Sequence, residues 1–308
     1  MRRDSTGDPL SLAMAQARDR ADPLAHWRDC FDLPGDRIYL DGNSLGPLPL
    51  ATRARMAEMV DAQWGRDLIA SWNDHGWIDA PRRIGDKIGR IIGARPGEAI
   101  VADSVSANIY KLLVAISENR SGATHILTEA GNFPTDLHVA AGAARLLGLE
   151  LRSVERAALA QAIASDTAVL LLTHVHYKTG ERFDMAAFED CAGDLGVPIL
   201  WDLSHSVGAV PLDMAGSGAK FAVGCGYKYC NGGPGAPAFL YVENSELGAL
   251  SSPIQGWMGH AAPFDFTDDY RPAPGIERFL AGTPPMLAMT ALESGIDLML
   301  SVDQEALW

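Results

Sequence analysis

Between residues 99 and 242 the chain repeats one alternation, a short apolar run rich in β-formers followed by a stretch with helical spacing. The runs are AIVADSV (99–105), HILTEAG (125–131), LELRSV (149–154), AVLLLTHV (168–175), PILWDLS (198–204), FAVGCGYK (221–228) and PAFLYV (237–242). SANIYKLLVAIS, TDLHVAAGAARLLG and MAAFEDCAGDLG lie between them and are built of good helix formers. Strands alternating with helices predict an α/β fold with a mostly parallel sheet, because parallel neighbours need a crossover that a helix supplies. Several runs are apolar throughout, the pattern of strands covered on both faces. Ligands of such sheets gather at the carboxyl ends of the strands. Polar residues stand at those places: Thr173, His174 and His176; Asp202 and His205; Tyr227 and Lys228.

The net charge of -14 argues against a nucleic-acid partner, which selects a cationic surface. No apolar stretch approaches the roughly 18 residues of a membrane span. The opening MRRDSTGDPLSLAMAQARDRAD begins basic, but its apolar part, LSLAMA, is short and soon followed by charges, so it does not read as a signal peptide. The four cysteines, Cys30, Cys191, Cys225 and Cys230, form no C-x-x-C and read as free thiols of a reducing cytoplasm. Residues 251–285, rich in Pro, Gly and aromatics, predict long ordered loops, and 286–308 predicts one helix running to the last residue.

Five stretches carry candidate chemistry. Asp202 ends an apolar strand, where an acid is costly to bury unless paired. It reads either as a helix cap or as a carboxylate facing a cationic heterocycle. Lys228, in GCGYKYCNGGPGAP, sits among glycines that permit close backbone approach to a ligand. A partly desolvated lysine there can form a Schiff base. Asp202 and Lys228 are one crossover apart and can lie on neighbouring strands, and pyridoxal chemistry requires such a pair. In DSVSANIYK, Ser104 and Ser106 precede or open a helix, so they read as a phosphate site or as ordinary caps. In GNFPTDLHVA, Phe133 reads as a core residue or as a ring face for stacking, with Thr135 or Asp136 a possible cap. In THVHYKTG, His174 and His176 share a strand face, but no third ligand follows at a metal-binding spacing, so no metal is expected.

Together with IYLDGNSLGPLP, SWNDHGW, WDLSHSVGAVP, GWMGH and FLAGTPP, these stretches resemble the kynureninase family of fold-type I pyridoxal-phosphate enzymes, over residues 37 to 300 or so. The resemblance implies a mostly parallel seven-stranded sheet flanked by helices. It divides the chain into an N-terminal segment 1–50, a large cofactor-binding domain 51–285, and the start of a truncated small domain at 286–308. It implies pyridoxal 5'-phosphate held covalently by Lys228, with Asp202 at the ring nitrogen and His205 beside it. Phe133 would stack on the ring, flanked by Pro134, Thr135 and Asp136, with Thr173 a further contact. Val105, Ser106, Tyr227 and Trp257 would bind the phosphate, and Thr283 would come from the neighbouring subunit of a cytoplasmic homodimer. Ser44, Trp72 and Gly282 would line the substrate pocket. Catalysis would rest on Lys228, Asp202 and Tyr227, hydrolysing L-kynurenine or its 3-hydroxy form in tryptophan catabolism. One departure is that family members continue for about a hundred residues, to an arginine suited to clamping the substrate carboxylate. Without it, the helix 286–308 would end uncovered, and an inactive cofactor-binding chain is an alternative. A cysteine desulfurase or class V aminotransferase is another. A desulfurase needs a mobile nucleophilic cysteine, and Cys225 and Cys230 flank the lysine too closely for that.

Overall fold

The computed structural model describes residues 11–308. The first ten residues of the opening read above as no signal peptide lie outside the described residues. Seven strands form one sheet: β1 (Ala99–Val101), β2 (His125–Glu129), β3 (Glu150–Val154), β4 (Thr167–Thr173), β5 (Ile199–Asp202), β6 (Phe221–Gly224) and β7 (Phe239–Val242), in the order β1-β7-β6-β5-β4-β2-β3. All pairs from β6 to β3 are parallel, and β7 alone runs against its neighbours β6 and β1. The seven expected runs are the seven strands, five of them (β1, β2, β4, β5 and β6) trimmed at their carboxyl ends and β3 and β7 at their amino ends. The trimmed carboxyl ends are the segments that build the site.

Successive residues of a strand point to opposite faces, and here each face has its own core. Leu170, Leu172, Ile199, Trp201, Ala222, Phe239 and Tyr241 pack on one side with the helices Ala80–Ile92, Met185–Gly193 and Met286–Leu300. Val169, Leu171, Leu200, Phe221, Val223, Leu240 and Val242 pack on the other with Val105–Ser117 and Pro134–Leu147. Burial on both faces explains why β4 is apolar along almost its whole length. The helix Ala80–Ile92 buries Ile84, Ile88, Ile91 and Ile92, each stabilising by about 1.5–3 kcal/mol at most. It ends at Gly93, whose φ of 70° is the left-handed cap that glycine tolerates.

The chain end differs from the single helix expected over 286–308. The helix Met286–Leu300 stops, and a separate short turn, Gln304–Leu307, follows. Local hydrogen bonds explain the break. The Ser301 hydroxyl donates back to the Leu298 carbonyl at 2.7 Å, and Asp303 accepts from the N–H groups of Glu305 and Ala306. Met286–Leu300 itself is covered, while the chain end beyond it, Leu307 and Trp308, is exposed. The helix buries Met289, Leu292, Ile296 and Met299 against the sheet and packs along Ala80–Ile92 and Leu50–Glu58. Residues 251–285 are loops, as expected, interrupted by single 3₁₀ turns at Trp257–Gly259 and Ile276–Phe279.

Candidate active site

The carboxyl ends of β4, β5 and β6 and the amino ends of Val105–Ser117 and Pro134–Leu147 meet around a cavity of about 280 Å³. Lys228 and Asp202 both line it, as do Val105, Ser106, Phe133, Thr135, Asp136, Thr173, His205 and Tyr227. The amine and the carboxylate therefore open on one space.

Lys228 stands in the turn after β6, only 9% exposed. Its Nζ lies 2.8 Å from His205 Nε2 and 5.8 Å from the centroids of the Phe133 and Tyr227 rings. The turn is fixed by its own backbone: Asn231 N–H donates to the Lys228 carbonyl at 3.0 Å, Gly232 N–H to Gly226 at 2.9 Å, and Gly46 N–H to Tyr227 at 2.9 Å. The glycines were expected to make room for a ligand, and the structure gives them another reason. A Cβ on Gly224 would lie 2.5 Å from the Phe239 ring, and one on Gly226 2.8 Å from Leu292. The glycines let the lysine turn pack against β7 and the helix Met286–Leu300, which sets the height of the amine above the sheet.

Asp202 ends β5. Its Oδ1 accepts from Ser204 N at 2.8 Å and Ser204 Oγ at 2.6 Å, so it caps the turn that follows while its carboxylate faces the cavity. Asp136, 1% exposed, comes within hydrogen-bonding reach of Asp202. Burial, and then the neighbouring Asp202 charge, push Asp136 well above the ordinary carboxylate range. Of the two carboxyls, Asp136 is the one its surroundings push toward the protonated form. Thr173 Oγ1 donates to Asn132 Oδ1 at 2.6 Å and to Asp136 at 3.3 Å, tying β4 to this pair. Neither Thr135 nor Asp136 caps the helix Pro134–Leu147; Phe133 holds the cap position, and Asn132 Oδ1 accepts its N–H at 2.7 Å.

His205 is lowered from its ordinary value, first by burial and then by the Lys228 charge. The neutral ring accepts from the Lys228 ammonium. Tyr227 is raised, chiefly by burial, and remains a neutral phenol. At the opposite end Ser104 caps Val105–Ser117, its Oγ accepting from Ala107 N at 3.3 Å, and the unpaired N–H groups of the first turn open beside Val105 and Ser106.

The remaining expected site residues stand outside this cavity. Pro134 opens its helix. Trp257 packs edge-on against Trp72 at 6.3 Å, in a cluster with Phe264 and Phe266. Gly282 and Thr283 line a neighbouring cavity of about 210 Å³ that shares the loops at Asp103, Gly235 and Pro237. Ser44 lies in the turn before Gly46, the residue bonded to Tyr227. Of the two histidines, His174 bonds Ser206 Oγ at 2.8 Å and burial lowers it to about 4, while His176 contacts the Gly131 carbonyl at 3.2 Å. Sequence reasoning missed Tyr177, whose ring meets Phe133 edge-on at 5.3 Å, and Ser204, the anchor of Asp202. The serine two residues after the acid was the available signal for the second.

An amine that attacks carbonyls, an acid for a basic ring nitrogen, an aromatic face and a helix amino end for a dianion suit a phosphorylated pyridine aldehyde. Comparison with known proteins agrees. Residues 79–308 match the family model described as aminotransferase class-V. A kynureninase of Deinococcus radiodurans is 48% identical over 304 residues, 97% of this chain and 74% of that protein. One of Burkholderia pseudomallei is 45% identical over 95% of this chain and 72% of that protein. Among solved structures, an Escherichia coli cysteine desulfurase superposes with a TM-score of 0.77 at 19% identity, covering 92% of this chain and 73% of that one. An apo cysteine desulfurase from Thermococcus onnurineus gives 0.75 at 21% identity, covering 89% and 70%. These structural likenesses concern the fold alone.

Proposed function

The chain belongs to the class-V aminotransferase family and, within it, to the kynureninases, and from this we infer that it hydrolyses L-kynurenine, or its 3-hydroxy form, to anthranilate, or 3-hydroxyanthranilate, and L-alanine. Its cofactor is pyridoxal 5'-phosphate. The observation that carries the reading is the shared cavity: Lys228, Asp202 and the amino end of Val105–Ser117 open on one space. When bound, the cofactor supplies a carbonyl for amines and an electron-withdrawing ring.

The chain's own residues do the rest. Asp202, held by Ser204 and with Asp136 beside it, would keep a proton on the ring nitrogen. Phe133, at the cavity wall, would cover one face of the ring, and Thr173 fixes Asp136. Val105, Ser106 and the first-turn N–H groups take the phosphate. Lys228 Nζ would hold the cofactor and would move the substrate's α-proton, with His205 2.8 Å away to exchange a proton with it. The hydrolysis adds water across Cβ–Cγ. Hydroxyl goes to the ketone carbon, which becomes the aromatic carboxylate, and a proton goes to Cβ, which becomes the methyl of alanine. Tyr227, a neutral phenol at the cavity wall, donates toward the ketone oxygen as water adds.

The reading includes a cytoplasmic homodimer in which Thr283 reaches the partner's cofactor and Ser44, Trp72 and Gly282 border the substrate; Trp257, expected at the phosphate, lies outside the chain's own cavity, so here it too is assigned to the partner's site. In its favour, Trp257 and Thr283 lie beyond the chain's own cavity, and Phe264 and Phe266 beside Trp257 are 57% and 76% exposed. Among the described residues no helix is long and apolar enough to cross a membrane. The proposed domain boundary falls at 285, where Pro284 and Pro285 precede the helix Met286–Leu300. The chain spans about three quarters of the length of these kynureninases.

The test is to supply purified chain with the cofactor and L-kynurenine and follow anthranilate fluorescence and alanine release. Anthranilate that depends on Lys228 supports the reading. Alanine and sulfide from cysteine, with none from kynurenine, would put a desulfurase in its place.

A further inference from the structure

Lys111 is completely buried, yet the chemistry above does not use it. It lies on the helix Val105–Ser117, whose first turn carries Val105 and Ser106. Its ammonium donates to Asp103 Oδ2 and, at 2.6 Å, to the Phe279 carbonyl. Asp103 is the hinge between β1 and this helix. Its φ of 44° is left-handed, a conformation that few residues besides Gly, Asn and Asp adopt. Its carbonyl accepts from Ala238 N at 2.9 Å, and the next residue, Ser104, caps the helix. The ammonium therefore holds a left-handed residue at the point where the chain turns into the candidate phosphate site.

A buried lysine that only filled space would be replaced by an apolar residue of similar volume at little cost or with a gain, because burying an ion pair costs desolvation. Asp103 does not need the partner for its own burial, since its side chain is 39% exposed. What the pair does supply is a fixed Asp103 and a tie to the segment that runs from Phe279 to Gly282 and Thr283.

We propose that Lys111 is a positioning residue for the cofactor phosphate, holding Asp103 left-handed so that the N–H groups after Ser104 converge on the anion. The proposal rests on reading Val105 and Ser106 as phosphate contacts. The experiment titrates the apo protein with pyridoxal 5'-phosphate and, separately, with pyridoxal, which lacks the phosphate, following tryptophan quenching. Lys111→Met weakens pyridoxal phosphate roughly tenfold or more and leaves pyridoxal unchanged. Asp103→Asn, which keeps an acceptor and tolerates left-handed φ, retains affinity for the phosphorylated ligand, and Asp103→Leu loses it. The Asp103 pair decides the matter if Lys111→Met does not fold. Wild-type binding by Lys111→Met or Asp103→Leu, or equal loss of both ligands, overturns the proposal. Ser106→Ala separates the two levels. If it lowers the preference for the phosphorylated ligand while Lys111→Met does not, the clasp alone is wrong. If it leaves that preference unchanged, the phosphate reading is wrong and the clasp falls with it.

Discussion

Tyr227 and Lys228 are adjacent in sequence but have separable tasks. Lys228→Ala removes the covalent tie and the proton carrier together, so turnover falls to background and the bound cofactor loses the visible absorbance of a lysine adduct. Tyr227→Phe removes only a phenol held neutral by burial. It slows turnover by ~10²–10⁴-fold while the cofactor stays bound, as steady-state rates and absorbance together reveal. Normal turnover would take Tyr227 out of the mechanism. Both residues were legible from sequence because they follow an apolar strand, where α/β sheets collect chemistry. The upward push on Asp136 was not legible. It arises from burial beside Asp202, 66 positions further along the chain.

At the scale of elements, the helix Met286–Leu300 links the core to the site. Gly295 packs against the Cys230 carbonyl and lies where a Cβ would come 2.8 Å from Asn231. Gly295→Ala therefore pushes on the turn carrying Lys228, and both melting temperature and kcat should fall, by a few °C and several-fold. The same helix carries Glu293. Burial alone would raise it, but hydrogen bonds from Arg83 and Lys87, at 2.9 and 2.8 Å, override that and bring it down to about 2. A depressed folded value means the stabilisation is complete above the unfolded value of 4.5 and is lost as pH falls through about 2. The melting gap between the wild type and Glu293→Gln should be widest near neutrality and close below pH 4.5. Glu189, under Trp201, behaves oppositely. Burial raises it to about 7 despite the Trp201 N–H at 2.7 Å. Wild-type stability therefore declines as pH rises from 4.5 through 7, and Glu189→Gln should abolish that decline. The seven strands could be read from runs of β-formers, but their ends could not. Apolar runs continue past the last ladder bond, and only tertiary pairing decides where β6 stops and the lysine turn begins. The break at Ser301–Asp303 was missed for a related reason: local side-chain bonds override helical spacing there.

For the whole molecule, two cores on opposite faces of one sheet leave the site at the strand ends, with Trp257, Phe264 and Phe266 outside it. In the proposed homodimer this exposed aromatic group is the association surface. Sedimentation of the holo protein should give twice the mass of one chain, and Phe266→Asp should shift it toward the single chain. The parallel architecture was readable in the alternation of runs and helices. The separation of Trp257 and Thr283 from the main cavity was not, because it depends on how the long loops 251–285 fold back, with the turn Ile276–Phe279 against β1. What holds the account together is the covalent tie between the cofactor and one lysine of the twenty-five basic residues. Borohydride reduction of the holo protein, followed by peptide mass mapping, tests it directly. A phosphopyridoxyl group on Lys228 is the predicted result; the group on another lysine, or on none, contradicts it.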